Sequence, residues 1–129
     1  MAGPSPFVAI VDDEEPIRKA LKRLLRAANL EAEAYESGPA FLDSLSARRP
    51  DCVILDLHMP GMTGLHVLQR LKQSGIQLPT IVITAYDEPE TRNHCLAAGA
   101  AAYLRKPLED RLLLEAVASA AKMKTNGTH

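Results

Sequence analysis

Cysteine is scarce in this chain, and so is any excess of charge of one sign. The 129 residues include two cysteines, Cys52 and Cys95, which are too few for a disulfide scaffold and suit a reducing compartment. The formal net charge is -1, with 15 Lys and Arg against 16 Asp and Glu. A bulk electrostatic attraction to nucleic acid or to an anionic membrane is therefore not expected.

Long hydrophobic runs are also missing. The longest weakly apolar stretch, Leu96 to Leu104, is too short to cross a bilayer. The first six residues lack a basic region, and the apolar stretch Phe7–Val11 is too short for a signal peptide. We therefore expect a cytoplasmic protein without a membrane segment. We predict a loose leader (1–6), one domain (7–121) and a polar tail or linker stub (122–129).

The pattern of apolar residues predicts alternating strands and helices. Five short runs predict strands at Phe7–Val11, Glu31–Tyr35, Cys52–Leu55, Thr80–Thr84 and Ala101–Leu104. Four of them are nearly continuous in apolar residues, which is typical of strands buried on both faces of a parallel sheet. The second alternates alanine with glutamate, which predicts a half-exposed edge strand. A helical pattern follows each strand, so we predict an α/β fold with a mainly parallel sheet.

Polar residues follow four of the predicted strands. Asp12 and Asp13 come after the first strand and Asp56 after the third, while Thr84 ends the fourth and Lys106 follows the fifth. In a parallel sheet the ligand site lies beyond the carboxyl ends of the strands. We therefore expect three acids, a hydroxyl and a lysine to converge there.

These residue types fit phosphoryl transfer to a carboxylate. Clustered carboxylates repel one another, and a hard divalent cation such as Mg²⁺ relieves that repulsion. Asp12 and Asp13 are therefore candidates for the metal side, and Asp56 for a ligand, a nucleophile or both. Lys106 and Thr84 could contact a phosphoryl oxygen. The structural alternatives are a charge at a helix N-terminus for Asp13, a solvated turn lysine for Lys106 and an ordinary β-branched strand residue for Thr84.

The motifs together resemble the receiver domain of two-component response regulators. The resemblance rests on Asp12-Asp13, Asp56 with Met59-Pro60-Gly61-Met62-Thr63-Gly64, Thr84-Ala85 and Lys106-Pro107, and it covers about residues 7–121. The strings around Asp12 and Asp56 resemble the FixJ-type subgroup in particular. The resemblance implies a CheY-like, flavodoxin-like (βα)5 fold, doubly wound, with strand order 2-1-3-4-5.

The resemblance also implies roles for the site residues. Asp56 would accept a phosphoryl group from a sensor histidine kinase or a phosphotransfer protein, and Lys106 would contact the phosphate. The ion would be Mg²⁺ or Mn²⁺, held by Asp12, Asp13, Asp56 and the backbone carbonyl of His58. The Lys106-Pro107 peptide bond would be cis, as is frequent in the family.

The switch and its lifetime follow from the same resemblance. Thr84 would turn toward the phosphoryl group and Tyr103 would swing inward. The change would reach the surface formed by the fourth helix, fifth strand and fifth helix, where phosphorylation could produce a homodimer. His58 and Tyr86 stand two positions after Asp56 and Thr84. Such positions tune attack by water on the acyl phosphate, although His58 could equally be a surface-loop residue.

Several alternatives stay open at this stage. The first predicted helix is basic, which indicates either a solvated face or a docking face for the kinase, without DNA contact by this domain. The chain is either a single-domain regulator or the receiver part of a larger FixJ-type DNA-binding regulator. We do not expect a conventional enzyme. A phosphatase of the haloacid dehalogenase kind needs an acid where His58 stands, and a non-catalytic interaction module would not bind Mg²⁺.

Overall fold

Strands and helices alternate throughout the chain. The computed structural model describes residues 5–126, with side chains described as far as residue 122. The elements are β1 (Phe7–Val11), α1 (Glu15–Ala27), β2 (Glu31–Tyr35), α2 (Gly38–Ser44), β3 (Cys52–Asp56), α3 (Gly64–Gln73), β4 (Thr80–Thr84), α4 (Pro89–Ala97), β5 (Ala102–Arg105) and α5 (Asp110–Asn126).

The predicted terminal segments fall partly beyond this range. Residues 1–4 of the leader and 127–129 of the tail lie outside the described residues. Helix α5 continues to Asn126, so it includes the first part of the segment predicted as a tail. In the described part of the chain, no helix combines the length and the apolar character needed to cross a membrane.

The five strands form one parallel sheet in the order β2-β1-β3-β4-β5. This confirms the predicted fold class and the strand order that the resemblance implied. Because successive side chains of a strand point to opposite faces, Ala9 and Val11 pack toward α2, α3 and α4, whereas Val8 and Ile10 pack toward α1 and α5. The sheet is thus covered on both faces, as a parallel sheet requires.

The two outer strands differ in how well their sequences predicted them. Strand β2 is an edge strand, with Ala32 buried and Glu31 and Glu33 exposed, as predicted. The prediction that the fifth strand is buried on both faces was wrong. Strand β5 starts one residue later than predicted, and its side chains are half-buried or exposed. Strand β5 is half-buried because it lies at the edge of the sheet and pairs only with β4. A short apolar run in the sequence does not reveal whether a strand is central or at an edge.

The N-terminus of α3 lies directly against the end of β3. Thr63 and His66 cap the helix reciprocally, with the Thr63 N–H donating to His66 Nδ1 (3.2 Å) and the His66 N–H donating to Thr63 Oγ1 (3.3 Å). A Cβ atom on Gly64 would lie 2.5 Å from the Asp56 carbonyl oxygen. Glycine at this position therefore allows the close approach that places the β3–α3 loop beside Asp56.

Candidate phosphorylation site

Three carboxylates meet at the carboxyl end of the sheet. Candidate ligand oxygens of Asp12, Asp13 and Asp56 all lie within 4.8 Å of one another. Asp12 and Asp56 are buried, whereas Asp13 is exposed. Strands β1 and β3 are paired in register, so the residues that end them are neighbours although they are distant in the chain.

Lys106 provides the positive charge of this cluster. It follows β5, and its Nζ donates to Asp12 Oδ2 (3.1 Å) and to Asp56 Oδ1 (3.4 Å). Its backbone N–H donates to the Thr84 carbonyl (2.7 Å), and the Lys106-Pro107 peptide bond is cis. The lysine thus bridges two of the three carboxylates.

The charges of the cluster are not balanced. The pKa of Asp56 is raised from 3.8 to about 6, first by burial and then by the neighbouring charge of Asp12, which together outweigh the lowering by Lys106 and the His58 N–H. Burial lowers the pKa of Lys106, but its contacts with Asp12 and Asp56 outweigh this, and the pKa is raised. A bound cation would relieve the surplus of negative charge.

Every polar group of Asp12 has a partner. Its N–H donates to the Tyr35 carbonyl (3.2 Å), and its Oδ1 accepts from the Glu14 N–H (2.9 Å) while Oδ2 accepts from Lys106. Arg18 Nη1 donates to its carbonyl oxygen (2.8 Å). Arg18 belongs to the helix that the sequence predicted to be basic, and this contact was not predicted, because a charged helical position does not reveal which way a long side chain turns.

The Thr84 hydroxyl closes the turn after β4. Thr84 is buried, and its Oγ1 accepts from the Tyr86 N–H (3.0 Å) and donates to the Tyr86 carbonyl (3.0 Å). These two contacts direct the hydroxyl toward the turn rather than toward the carboxylates. The predicted contact with a phosphoryl group would require the hydroxyl to change partner.

Tyr103 lies against the α4 side of the sheet. Its ring packs on the core between the sheet and helices α2 to α4, and the Arg92 guanidinium lies 6.0 Å from the ring centroid. Its hydroxyl oxygen is buried and has no hydrogen-bond partner among the described residues. Burial, followed by the charge of Asp87, raises the pKa of this hydroxyl. The ring is half-buried, and its hydroxyl lies near Asp87 and Glu88 at the start of α4.

The two predicted lifetime-tuning residues contact each other. The rings of His58 and Tyr86 meet edge to face, with centroids 5.1 Å apart and planes at 87°. Both side chains are exposed, Tyr86 by 63%. Their contact was not predicted from the sequence, because only the packing of the β3–α3 loop against the β4–α4 loop brings the two rings together.

The donor set fits a hard divalent cation. Three carboxylates supply oxygen ligands from two neighbouring strand ends, and the exposed Asp13 leaves one side accessible to solvent. Mg²⁺ and Mn²⁺ prefer such oxygen donors together with water. The site therefore has the chemistry of a Mg²⁺ site, with a half-buried lysine beside it.

Comparison with known proteins identifies the class of protein. The family described as the response regulator receiver domain matches residues 8–118, and the chain belongs to this family. The chain is 40% identical over 100 residues to the DNA-binding transcriptional regulator NtrC of Klebsiella pneumoniae, covering 78% of this chain and 21% of NtrC. It is 36% identical over 115 residues to the transcriptional regulatory protein FixJ of Rhizobium meliloti (strain 1021), covering 89% of this chain and 56% of FixJ.

A solved structure agrees with this assignment. The response regulator receiver protein from Burkholderia phymatum superposes with a TM-score of 0.81 at 48% identity, over 92% of this chain and 96% of that chain. The chain spans from about a fifth to about half the length of the two curated relatives.

The family defines the general role of the chain. Receiver domains of two-component systems are phosphorylation-dependent signalling modules that take phosphoryl groups from histidine kinases, and phosphoaspartate and Mg²⁺ are general features of them. They are not conventional enzymes. The resemblance predicted from the motifs is confirmed, and it takes the place of the phosphatase alternative.

Proposed function

We propose that this chain is a switch activated by phosphorylation of Asp56. The observation that carries the proposal is the position of Asp56, which is 3% exposed at the end of β3, within 3.4 Å of Lys106 and inside the carboxylate cluster. The donor would be the phosphohistidine of a sensor histidine kinase or a phosphotransfer protein. An Asp56 oxygen would bond to phosphorus, the P–N bond would break, and the imidazole would leave with the electron pair.

The residues around Asp56 would have different roles in that transfer. Asp12, Asp13, Asp56 and the His58 carbonyl would hold Mg²⁺ or Mn²⁺, which when bound neutralises charge on the carboxylates and the phosphoryl oxygens. Lys106 would hold a phosphoryl oxygen once Asp56 is phosphorylated. Its contacts with Asp12 (3.1 Å) and Asp56 (3.4 Å) support this role.

The signal would leave the site through Thr84 and Tyr103. The Thr84 hydroxyl would exchange its contacts with Tyr86 for the phosphoryl group, which is the stronger acceptor. Freeing the β4–α4 turn would alter the packing of Tyr103 against α4. The surface formed by α4, β5 and α5 carries the exposed side chains Leu96 and Leu112, each 43% exposed, and homodimerisation there would bury them.

Mass spectrometry of the intact chain tests the proposal. After incubation with acetyl phosphate, we expect one added phosphoryl group that requires both Mg²⁺ and Asp56. Asp56→Ala should gain none, whereas the control Asp43→Ala, at an exposed acid on α2, should be modified as the wild type is. Modification of Asp56→Ala, or no modification of the wild type by either acetyl phosphate or a histidine kinase, would contradict the proposal.

The His58–Tyr86 pair would set the lifetime of the phosphorylated form. The two rings lie on the loops that follow β3 and β4, where they would limit the approach of water to the acyl phosphate. We expect Tyr86→Ala to lose the phosphoryl group faster than the wild type, and the control Tyr86→Phe, which keeps the ring, to resemble the wild type. Decay is measured by intact mass after removal of the donor, and an unchanged rate in Tyr86→Ala would disprove this role.

A further inference from the structure

Arg18 differs from the other basic residues of α1. It is half-buried, and its side chain turns back toward the site, where Nη1 donates to the Asp12 carbonyl oxygen (2.8 Å). By contrast, Lys19 is exposed and pairs with Glu15 on the same helix (2.9 Å). Arg23 is also exposed, and among the described residues it bonds to nothing in the turn between β1 and α1. Arg18 alone of these three therefore contacts the acidic cluster.

We propose that Arg18 is a positioning residue that sets the geometry of the cation site through the peptide bond between Asp12 and Asp13. This inference rests on the cation site proposed above. A peptide unit is planar, so a hydrogen bond that fixes the Asp12 carbonyl also fixes the Cα of Asp13 in the same plane. The Asp12 side chain is held separately by Glu14 and Lys106. Arg18 thus determines how the exposed Asp13 carboxylate is presented beside the buried Asp12.

The positive charge of Arg18 and its positioning role are expected to have opposite effects on Mg²⁺ affinity. A guanidinium beside a cation site repels the cation, so removal of its charge alone should strengthen Mg²⁺ binding. Loss of the hydrogen bond would let the peptide plane rotate, so Asp13 would have to be ordered when the ion binds, and Mg²⁺ binding should weaken. The sign of the change in affinity therefore distinguishes a positioning role from a purely electrostatic one.

The test is a titration of the whole chain with MgCl₂ at constant ionic strength, followed by ¹H–¹⁵N NMR. Arg18→Met keeps the length of the aliphatic stem but removes the donor and the charge, and Arg18→Gln retains an amide too short to reach the carbonyl. Arg23→Met is the matched control, since it removes the same charge from the same helix. We expect about tenfold weaker Mg²⁺ binding for both Arg18 variants, as for other residues that orient metal ligands, and no weakening for Arg23→Met.

A second readout separates positioning from catalysis. With acetyl phosphate as donor, the Mg²⁺ concentration for half-maximal phosphorylation should rise in the Arg18 variants, while the rate at saturating Mg²⁺ stays near that of the wild type. Equal or tighter Mg²⁺ binding by folded Arg18→Met or Arg18→Gln would overturn the inference alone. A wild-type chain that binds no Mg²⁺ would overturn the proposed function as well. The amide spectra taken in chelator show whether each variant is folded.

Discussion

Charged side chains are arranged differently at the two ends of the sheet. At the carboxyl end, where the strands finish, Asp12 and Asp56 are buried, and the bridging Lys106 side chain is 14% exposed. At the amino end, Glu31 and Arg48 form an ion pair whose side chains are 44% and 55% exposed. The Arg48 guanidinium also lies over the Phe7 ring, 4.1 Å from its centroid.

The amino end shows how charges are arranged when they only support the fold. Arg48 donates to both carboxylate oxygens of Glu31, and the Phe7 N–H donates to Asp51 Oδ2 (2.7 Å), so each acid has a partner and stays in contact with solvent. The carboxyl end instead gathers three acids around one lysine, which is unfavourable for folding and useful for binding a cation and a phosphoryl group. Charges that only support the fold and charges gathered for binding thus lie at opposite ends of the same strands.

The largest expected effect is a loss of stability when Gly64, at the carboxyl end, is replaced, compared with the same replacement of Gly75 at the amino end. Gly64→Ala should lower the free energy of unfolding by about 3 kcal/mol, because the new Cβ would lie 2.5 Å from the Asp56 carbonyl oxygen and 2.9 Å from Leu57 Cα. Gly75, which follows α3 at the amino end, has a φ of +68° and open space around its Cβ position. Gly75→Ala should therefore cost only about 1 kcal/mol of backbone strain. Urea unfolding measures both, and equal losses would contradict the comparison.

A smaller effect of opposite sign is expected at Asp56. Its pKa is about 6 in the folded chain and 3.8 ordinarily, so the folded state holds the proton more tightly, and stability is lost as the pH rises from about 4 to about 6. In chelator, Asp56→Asn should be more stable than the wild type above this range, by about 1 to 3 kcal/mol, with no such gain below pH 4.

The control for Asp56 stands at the other end of the same strand. Asp51→Asn removes a carboxylate that accepts from the Phe7 N–H, so it should bring no gain in stability at any pH. Urea unfolding at several pH values measures both variants. An Asp56→Asn variant no more stable than the wild type at pH 8 would show that the buried charges at the carboxyl end carry no cost.

The smallest effect is expected for the exposed ion pair. Arg48→Ala removes the contact with Glu31 and the cation–π contact with Phe7, and we expect a small loss of stability that shrinks as salt is added. Arg49→Ala removes the same charge from the next residue and serves as the control. The measurement is thermal unfolding at low and high salt. A loss larger than that of Gly75→Ala, or one independent of salt, would mean that the amino end also depends on strong electrostatics.

Particular residues show where prediction from the sequence succeeded and where it stopped. The bounds of β1, β2 and β4 were predicted correctly, because their apolar or alternating runs are bounded by turn residues and charges. The half-burial of β5 was missed, since its number of strand neighbours depends on the whole sheet. The contact of Arg18 with Asp12 was missed as well, because a helical pattern gives the face of a residue but not the direction of a flexible side chain.

Sequence alone was sufficient to determine the class of fold and the residue types of the site. Periodicity is a local property, and the residue that ends each parallel strand must lie at the carboxyl end of the sheet. Only the tertiary structure decided which of those residues touch. The register between β1 and β3 brings the three aspartates together, and Lys106 contacts two of them, Asp12 and Asp56. Loop packing pairs His58 with Tyr86, because contacts between residues far apart in sequence depend on distances that no local pattern encodes.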